Sequence, residues 1–222
     1  MAFRNSLIIF TIFSFCVIYF SCDDAGIVKP ENIGSDSCIN ATLSGWVSVP
    51  NRYLNAKVNS NGSFIYLLAE CPVDINGNFN LCFPSLLDTT LYPSDSIFYT
   101  SCGSGTVTFN PPDVKGTKIY NYRVTQGMHS DSNIVGAVDC NNYINSTTLQ
   151  AGDFDVEYIY VNKDVTVTGT KICGDDTMHF NGTAVKGWNR IIKHYQRING
   201  TSRTYLYDNN EPPGALWEYH GD

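Results

Sequence analysis

The residue types able to do chemistry sit in three groups. Asp175, Asp176 and His179 place two carboxylates and an imidazole close together, and oxygen and nitrogen donors at that spacing can share a metal ion. The simpler reading is a solvated turn followed by a strand: His179 alternates with Met178 and Phe180, an order that turns it toward water. No metal and no cofactor is therefore expected. The four histidines, His129, His179, His194 and His220, are scattered, and there is no Gly-x-Ser-x-Gly elbow. Nothing in the spacing selects a nucleophile and its base, so the chain reads as a non-enzyme.

The second group is the cysteines, eight in all. Cys16 lies inside an apolar run near the N-terminus. Beyond Cys22 stand Cys38, Cys71, Cys82, Cys102, Cys140 and Cys173, an even number, as expected of an exported protein that pairs its thiols. Spacing alone chooses none of the 15 pairings that six cysteines allow. Parity sets Cys22 apart: it is removed, or it does something other than form a disulfide.

The leader bears on that choice. Arg4 is followed by an apolar run over residues 7–20, shorter than the roughly 20 residues a membrane span needs. A charge followed by a short apolar run predicts an export signal over residues 1–22. It ends in Ser21-Cys22-Asp23-Asp24, which resembles the lipid-attachment site of bacterial lipoproteins, Bacteroidetes-type ones in particular. The resemblance implies that Cys22 becomes the first mature residue. It would carry acyl chains that hold the protein on membrane lipids, at about 0.8 kcal/mol per buried methylene. The other reading is ordinary cleavage beside Cys22 and a soluble secreted protein. Residues 23–37, rich in Gly, Pro, Asp and Ser, read as a flexible tether.

The third group is aromatic and basic. Tyr and Trp rings on a sheet face can stack on carbohydrate or bind a protein, although most such rings pack cores. Lys186, Arg190, Lys193, Arg197 and Arg203 form a local basic cluster, suited to an anionic partner or to balancing nearby acids. The chain as a whole is acidic, with a formal net charge of −7 and no long basic stripe, which argues against nucleic acid as a partner. Its 43% hydrophobic and 16% charged content suits a packed core rather than disorder. Asn40, Asn61, Asn145, Asn181 and Asn199 open glycosylation triplets, close to the number that a chain this rich in Asn, Ser and Thr gives by chance.

Short β-like runs must position these groups. Residues 42–49 form a first candidate strand, followed by 53–58, the turn dipeptide Asn61-Gly62 and the continuously apolar residues 64–69. After Asn76-Gly77, residues Phe79, Leu81 and Phe83 alternate with polar neighbours and Cys82. Alternation recurs at Tyr120, Tyr122 and Val124, at Phe154, Val156, Tyr158 and Tyr160, and at Val165 and Val167. Residues 134–138, 204–207 and 215–219 supply further runs. Residues 85–101 are irregular, and Asn110-Pro111-Pro112 marks a break. Trp188, Ile191, Ile192, Tyr195 and Ile198 fall at helical spacing.

The order of motifs is similar to a loose family of bacterial secreted proteins and lipoproteins of unknown function. The likeness rests on Asp74, Asn76, Gly77, Phe79, Leu81 and Pro84, then residues 102–109, Tyr158 and Tyr160, the Asp-Val-Thr-Val-Thr-Gly run at 164–169, the Lys186-Gly187-Trp188-Asn189 turn, and Pro212, Gly214 and Trp217. It spans most of residues 38–219. It implies that residues 187–198 are a strand rather than a helix, and it brings no catalytic residues. Gly187, Trp188 and Asn189 are expected to anchor the structure.

These readings predict an all-β fold of antiparallel sandwich type, with two small β domains packed together, at 38–112 and 113–222. The expected role is a non-enzymatic binding or structural lipoprotein of the cell envelope, anchored in the outer membrane. The alternative is a soluble secreted, lipocalin-like barrel holding a small apolar ligand, with a secreted hydrolase as the remote third.

Overall fold

The structure, a computed structural model, describes residues 37–221 apart from 61–63, 87–90, 94–96, 98–101, 129–132, 144–147 and 211. Side chains at 37, 59–60 and 64–66 are also outside the description. The N-terminal expectations, Cys22 among them, lie outside the described residues, as does His129.

Fourteen strands are described. The first four are β1 (Ser37–Ser44), β2 (Arg52–Ser60), β3 (Phe64–Val73) and β4 (Asn78–Phe83). Then come the short β5 (Tyr92–Pro93), β6 (Ser104–Asn110), β7 (Lys115–Gln126), β8 (Ile134–Asn141) and β9 (Phe154–Val161). The last five are β10 (Val165–Cys173), β11 (Asp176–Ala184), β12 (Gly187–Asn199), β13 (Ser202–Asp208) and β14 (Leu216–Gly221).

All fourteen join one sheet, in the order β5-β7-β2-β3-β4-β1-β14-β8-β9-β12-β13-β11-β10-β6. The sheet closes because β7, already paired to β2, also pairs with β8 and β9. The result is an eight-stranded barrel, β7-β2-β3-β4-β1-β14-β8-β9, with β12, β13, β11, β10 and β6 extending outward from β9. The expected sandwich is thereby corrected, while the all-β class holds. A sandwich needs two separate sheets face to face; here one continuous sheet curls until its strands meet, which removes edges from the ring. Nor is the pairing purely antiparallel, since β1–β14 and β11–β13 run parallel. Strands from both sides of residue 112 build the ring.

Alternation fills the barrel. Phe79, Leu81 and Phe83 from β4, Leu54, Ala56 and Val58 from β2, and Phe154, Val156, Tyr158 and Tyr160 from β9 belong to one buried cluster. Its rings touch in series. Trp217 meets Phe79 at 5.3 Å, Tyr122 at 5.0 Å and Tyr158 at 6.2 Å, and Phe83 meets Tyr158 at 5.8 Å and Trp188 at 4.8 Å. A second cluster, with Ile159, Val161, Val165, Val167, Phe180 and Ile191, lies on the other face of β9 and β12.

Those two clusters resolve the conflict over residues 187–198. The segment is strand β12, as the resemblance implied. Trp188 and Ile192 pair with Tyr160 and Val156 and face the barrel, whereas Ile191 joins the second cluster. A strand buried on both faces interleaves two apolar alternations, and their sum imitates a helical period. Trp188 is 2% exposed and donates from Nε1 to the Pro84 carbonyl at 2.8 Å. Asn189 fixes the link before it, accepting from the Val185 N–H at 2.8 Å and donating to the carbonyls of Val185 and Gly187 at 2.6 and 2.9 Å. Gly187 there has a φ of 110°.

Two disulfides join Cys38 to Cys82 and Cys102 to Cys173. The first links paired positions on β1 and β4, and the second closes the β6–β10 edge. They are the mark of a protein matured outside the reducing cytosol. Cys71 and Cys140 take part in neither, which corrects the expectation that all six pair, and both are buried. The register explains why they cannot bridge each other. Cys71 pairs with Leu54, Leu54 with Val124 and Val124 with Gly136, and Cys140 lies four residues further along β8. That offset of about 13 Å exceeds the reach of a disulfide. Among the described residues, no helix is long and apolar enough to cross a membrane.

Two outcomes are expected. Trp188→Ala lowers stability by about 3–5 kcal/mol in denaturant unfolding, the range for truncating a buried large aromatic. Among the six cysteines from Cys38 onward, alkylation without reductant labels none in the folded protein and, in denaturant, marks Cys71 and Cys140 alone, with Cys38, Cys82, Cys102 and Cys173 labelled only after reduction. Peptide mapping reads the pattern.

Candidate functional site

The barrel wall has a fork. On the side away from β2, β7 pairs with β9 through Gly116, Thr117 and Lys118, then with β8 from Tyr122 onward. Between Lys118 and Tyr122 it has neither neighbour on that side, while β8 and β9 meet only at Asn141 and Asp155. Asparagine side chains close the two ends. Asn142 Oδ1 accepts from the Phe154 N–H at 2.7 Å, and Asn162 Oδ1 accepts from the Lys115 N–H at 2.8 Å.

A bulge lies at the fork. Asn121 pairs with Lys57 and Ile119 with Val58, leaving Tyr120 as the extra residue. This corrects the expected shared face of Tyr120, Tyr122 and Val124. Tyr122 and Val124 are buried, but the bulge throws Tyr120 outward, 51% exposed.

A cavity of about 250 Å³ occupies the gap and is half open to solvent. Its apolar wall comes from Ile119, Val138 and Val156, with the Cys140 side chain beside them. Its polar wall carries three carboxylates, Asp139, Asp155 and Glu157. Each has a basic side chain beside it: the Lys118 ammonium lies 3.4 Å from Glu157, the Lys193 ammonium 3.3 Å from Asp155 and the His220 imidazole 3.5 Å from Asp139. Asp155 also accepts from the hydroxyls of Tyr143 and, at 2.8 Å, Tyr195. The Lys193 ammonium in turn sits 4.9 and 4.6 Å from the ring centres of Tyr195 and Tyr205.

Two lining groups lack a partner. The Tyr122 hydroxyl and Asn121 Oδ1 are both buried without a hydrogen bond. Leaving such a group unsatisfied costs about 1–3 kcal/mol; both atoms are closed off from solvent.

The phenols are held neutral. Burial, first, and then the Asp155 charge push Tyr143 and Tyr195 well above the ordinary tyrosine range. Burial raises Tyr122 likewise, with Tyr158 and Cys140 adding to it. Burial also lifts the Cys71 thiol to about 11.

The other candidates do not assemble. The Asp176 carboxylate bonds the Arg203 N–H at 3.1 Å and the Tyr205 hydroxyl at 3.2 Å, Asp175 accepts from Thr201, and His179 Nδ1 lies 2.9 Å from the Thr170 hydroxyl. Among the described residues, no three His, Cys, Asp or Glu side chains gather as metal ligands. His194 is paired to Asp208 at 2.9 Å. The basic cluster divides, because Arg190 pairs with Tyr158 and Lys193 with Asp155, on opposite faces of β12. The cavity residues escaped notice in the sequence. One signal was available: Asp155 and Glu157 alternate with the apolar face of β9, placing two carboxylates on its other side.

Fold and site define a disulfide-braced β-barrel protein with a polar-lined cavity in its wall. No family model, no curated protein and no solved structure matches the chain.

The raised groups set an alkaline limit. Their folded-state values exceed the ordinary 9.0 of the thiol and 10.0 of the phenols, so the folded chain keeps protons that the unfolded chain releases. The thiol's contribution is full below about pH 9 and is lost as pH rises through about 11, while that of the phenols is full below about pH 10 and is lost only at still higher pH. The unfolding temperature is expected to hold steady from pH 7 to 9 and to fall above that, with part of the phenolate absorbance appearing only on unfolding.

Proposed function

We propose that the chain is an exported binding protein, tethered to the cell envelope by an acylated Cys22, and that the wall cavity takes a small polar molecule. The observation that carries this reading is the gap in the barrel wall, where Asp139, Asp155 and Glu157 converge beside Ile119, Val138 and Val156. A site that is apolar on one wall and polar on the other, with a few convergent polar groups, is the general form of a small-molecule pocket, and about 250 Å³ lies at the small end.

A barrel is also the form that an apolar-ligand carrier would take. One feature favours the wall over the interior: the ring contacts around Trp217 and Phe83 fill the interior. A binding rather than a catalytic role is supported by Asp155 and Glu157, each held by a lysine ammonium and Asp155 by hydroxyls as well.

Two measurements test the proposal. Mass spectrometry of the mature protein from its native membranes should find Cys22 at the N-terminus with added acyl mass; an unmodified chain starting at Asp23 removes the anchor. Amide-shift mapping against a mixture of small polar molecules should move resonances of 118–122, 138–143 and 155–158. Shifts centred on Leu54, Leu81 and Val124 with an apolar probe would instead place the ligand inside the barrel.

A further inference from the structure

We infer that one rim of the barrel rests on a lipid bilayer, with Val47, Ile75, Met128 and Ile134 as apolar tips that enter an uncharged interface. The inference goes beyond the cavity reading and does not depend on it.

Register gathers the tips. Val47 follows β1, Ile75 sits between β3 and β4, Met128 follows β7 and Ile134 opens β8. Arg52 pairs with both Val73 and Gln126. The Leu43 N–H donates to the Gly77 carbonyl, the Gly127 N–H to that of Asn51 and the Gln126 N–H to that of Asn133, each at 3.0 Å. All four tips therefore stand at the same end of the ring. They are 46–64% exposed. The other large apolar side chains exposed among the described residues are dispersed: Tyr120 at the fork, Ile172 on β10, Val185 between β11 and β12, and Leu216 at the start of β14.

The tips are also held in place. Asp74 Oδ1 accepts from the N–H groups of Asn76 and Asn78, both at 2.8 Å, which fixes the turn around Ile75. Trp46 packs against Gly77 and meets the Tyr219 ring at 5.1 Å, which fixes the chain before Val47. The first central position of a turn accepts most residues, so folding does not call for isoleucine at 75. Side chains on an ordered rim have less freedom to lose on insertion.

Charge and layout select the occupant. Residues 45–52, 74–77, 126–128 and 133–134 carry one cation, Arg52, and one carboxylate, Asp74. The opposite rim has Lys115 and the Lys163–Asp113 pair, and pressing that end on a bilayer would bury charge. A protein partner needs a contiguous patch of about 800 Å², whereas these tips stand apart on three loops, with Asn51, Asp74, Asn76 and Gln126 among them. A bilayer interface is fluid and closes around separate tips, and its grip scales with the apolar area buried. Reach agrees. β1 enters at the far end and rises about 27 Å to this rim, while residues 23–36 extend to about 50 Å. An acylated Cys22 thus leaves the rim free to lie on the membrane that holds the anchor.

The test uses the mature chain from residue 23, so that no acyl group contributes, and sediments it with vesicles of phosphatidylcholine alone or doped with phosphatidylglycerol. Partition into the uncharged vesicles is expected, with no gain from the anionic lipid and no loss in salt. Val47→Ser, Ile75→Ser and Met128→Ser are each expected to weaken it about threefold or more, and the triple variant about thirtyfold. The unfolding temperature should hold, because all three side chains are exposed. No partition of the mature chain into either vesicle, or a triple variant that binds like the parent, overturns the inference. Binding that needs the anionic lipid and fails in salt moves the contact to basic side chains and overturns it equally. A dimer in solution that the triple variant loses, without vesicle binding, assigns the rim to a second copy instead. The probe carries neither acyl group nor cavity ligand, so each of these failures leaves the readings of Cys22 and the wall cavity standing.

Discussion

One strand must serve two diverging neighbours along a single edge, and the rest of the architecture follows from that. β7 holds β2 along one side and must serve both β9 and β8 along the other. Because β8 and β9 diverge, β7 cannot remain bonded to both, and it changes partner within four residues. That exchange closes the ring. It also opens a gap in the wall that side chains rather than backbone must line. The bulge at Tyr120 belongs to the same geometry, since an extra residue lets a strand turn from one neighbour to the next. Barrel and cavity are thus two results of one constraint.

Burial on both faces of β9 and β12 ties the ring to the outward sheet. Each strand offers one face to the rings around Trp188 and Trp217 and the other to the cluster around Val161 and Phe180. Neither half can slide by one residue without exchanging its buried set for polar side chains. One disulfide reinforces the six-residue β1–β4 ladder, which stands between two much shorter pairings, and the other the outer edge where β6 has only β10 beside it.

The strands were legible where a single alternation rules. Phe79, Leu81 and Phe83 read as a half-buried strand because water lies on their other side, and β4 bears this out. The same logic found β9 and β10. It misled at residues 187–198, where two buried faces produce a helical period, and at Tyr120, where one inserted residue reverses the pattern. Closure was not legible. Which strands meet is set by contacts distant in sequence, and local spacing cannot tell a curled sheet from two stacked ones. The cavity was hidden for the same reason. Asn121, Asp139 and Asp155 come from three strands, and nothing about any one of them marks the gap they share. Parity suggested that the six cysteines beyond Cys22 pair, but it says nothing of which face each one occupies, and Cys71 and Cys140 face inward.

The last strand sits between β1 and β8, parallel to the first. The cylinder is therefore a loop that receives this stave only after the outward strands β10 to β13 have been made. Until it arrives, two neighbouring staves stand with bare flanks, and the wall is a curved trough rather than a tube. Assembly runs against the usual economy of local contacts, because the ring is sealed by a strand distant in sequence from both its neighbours.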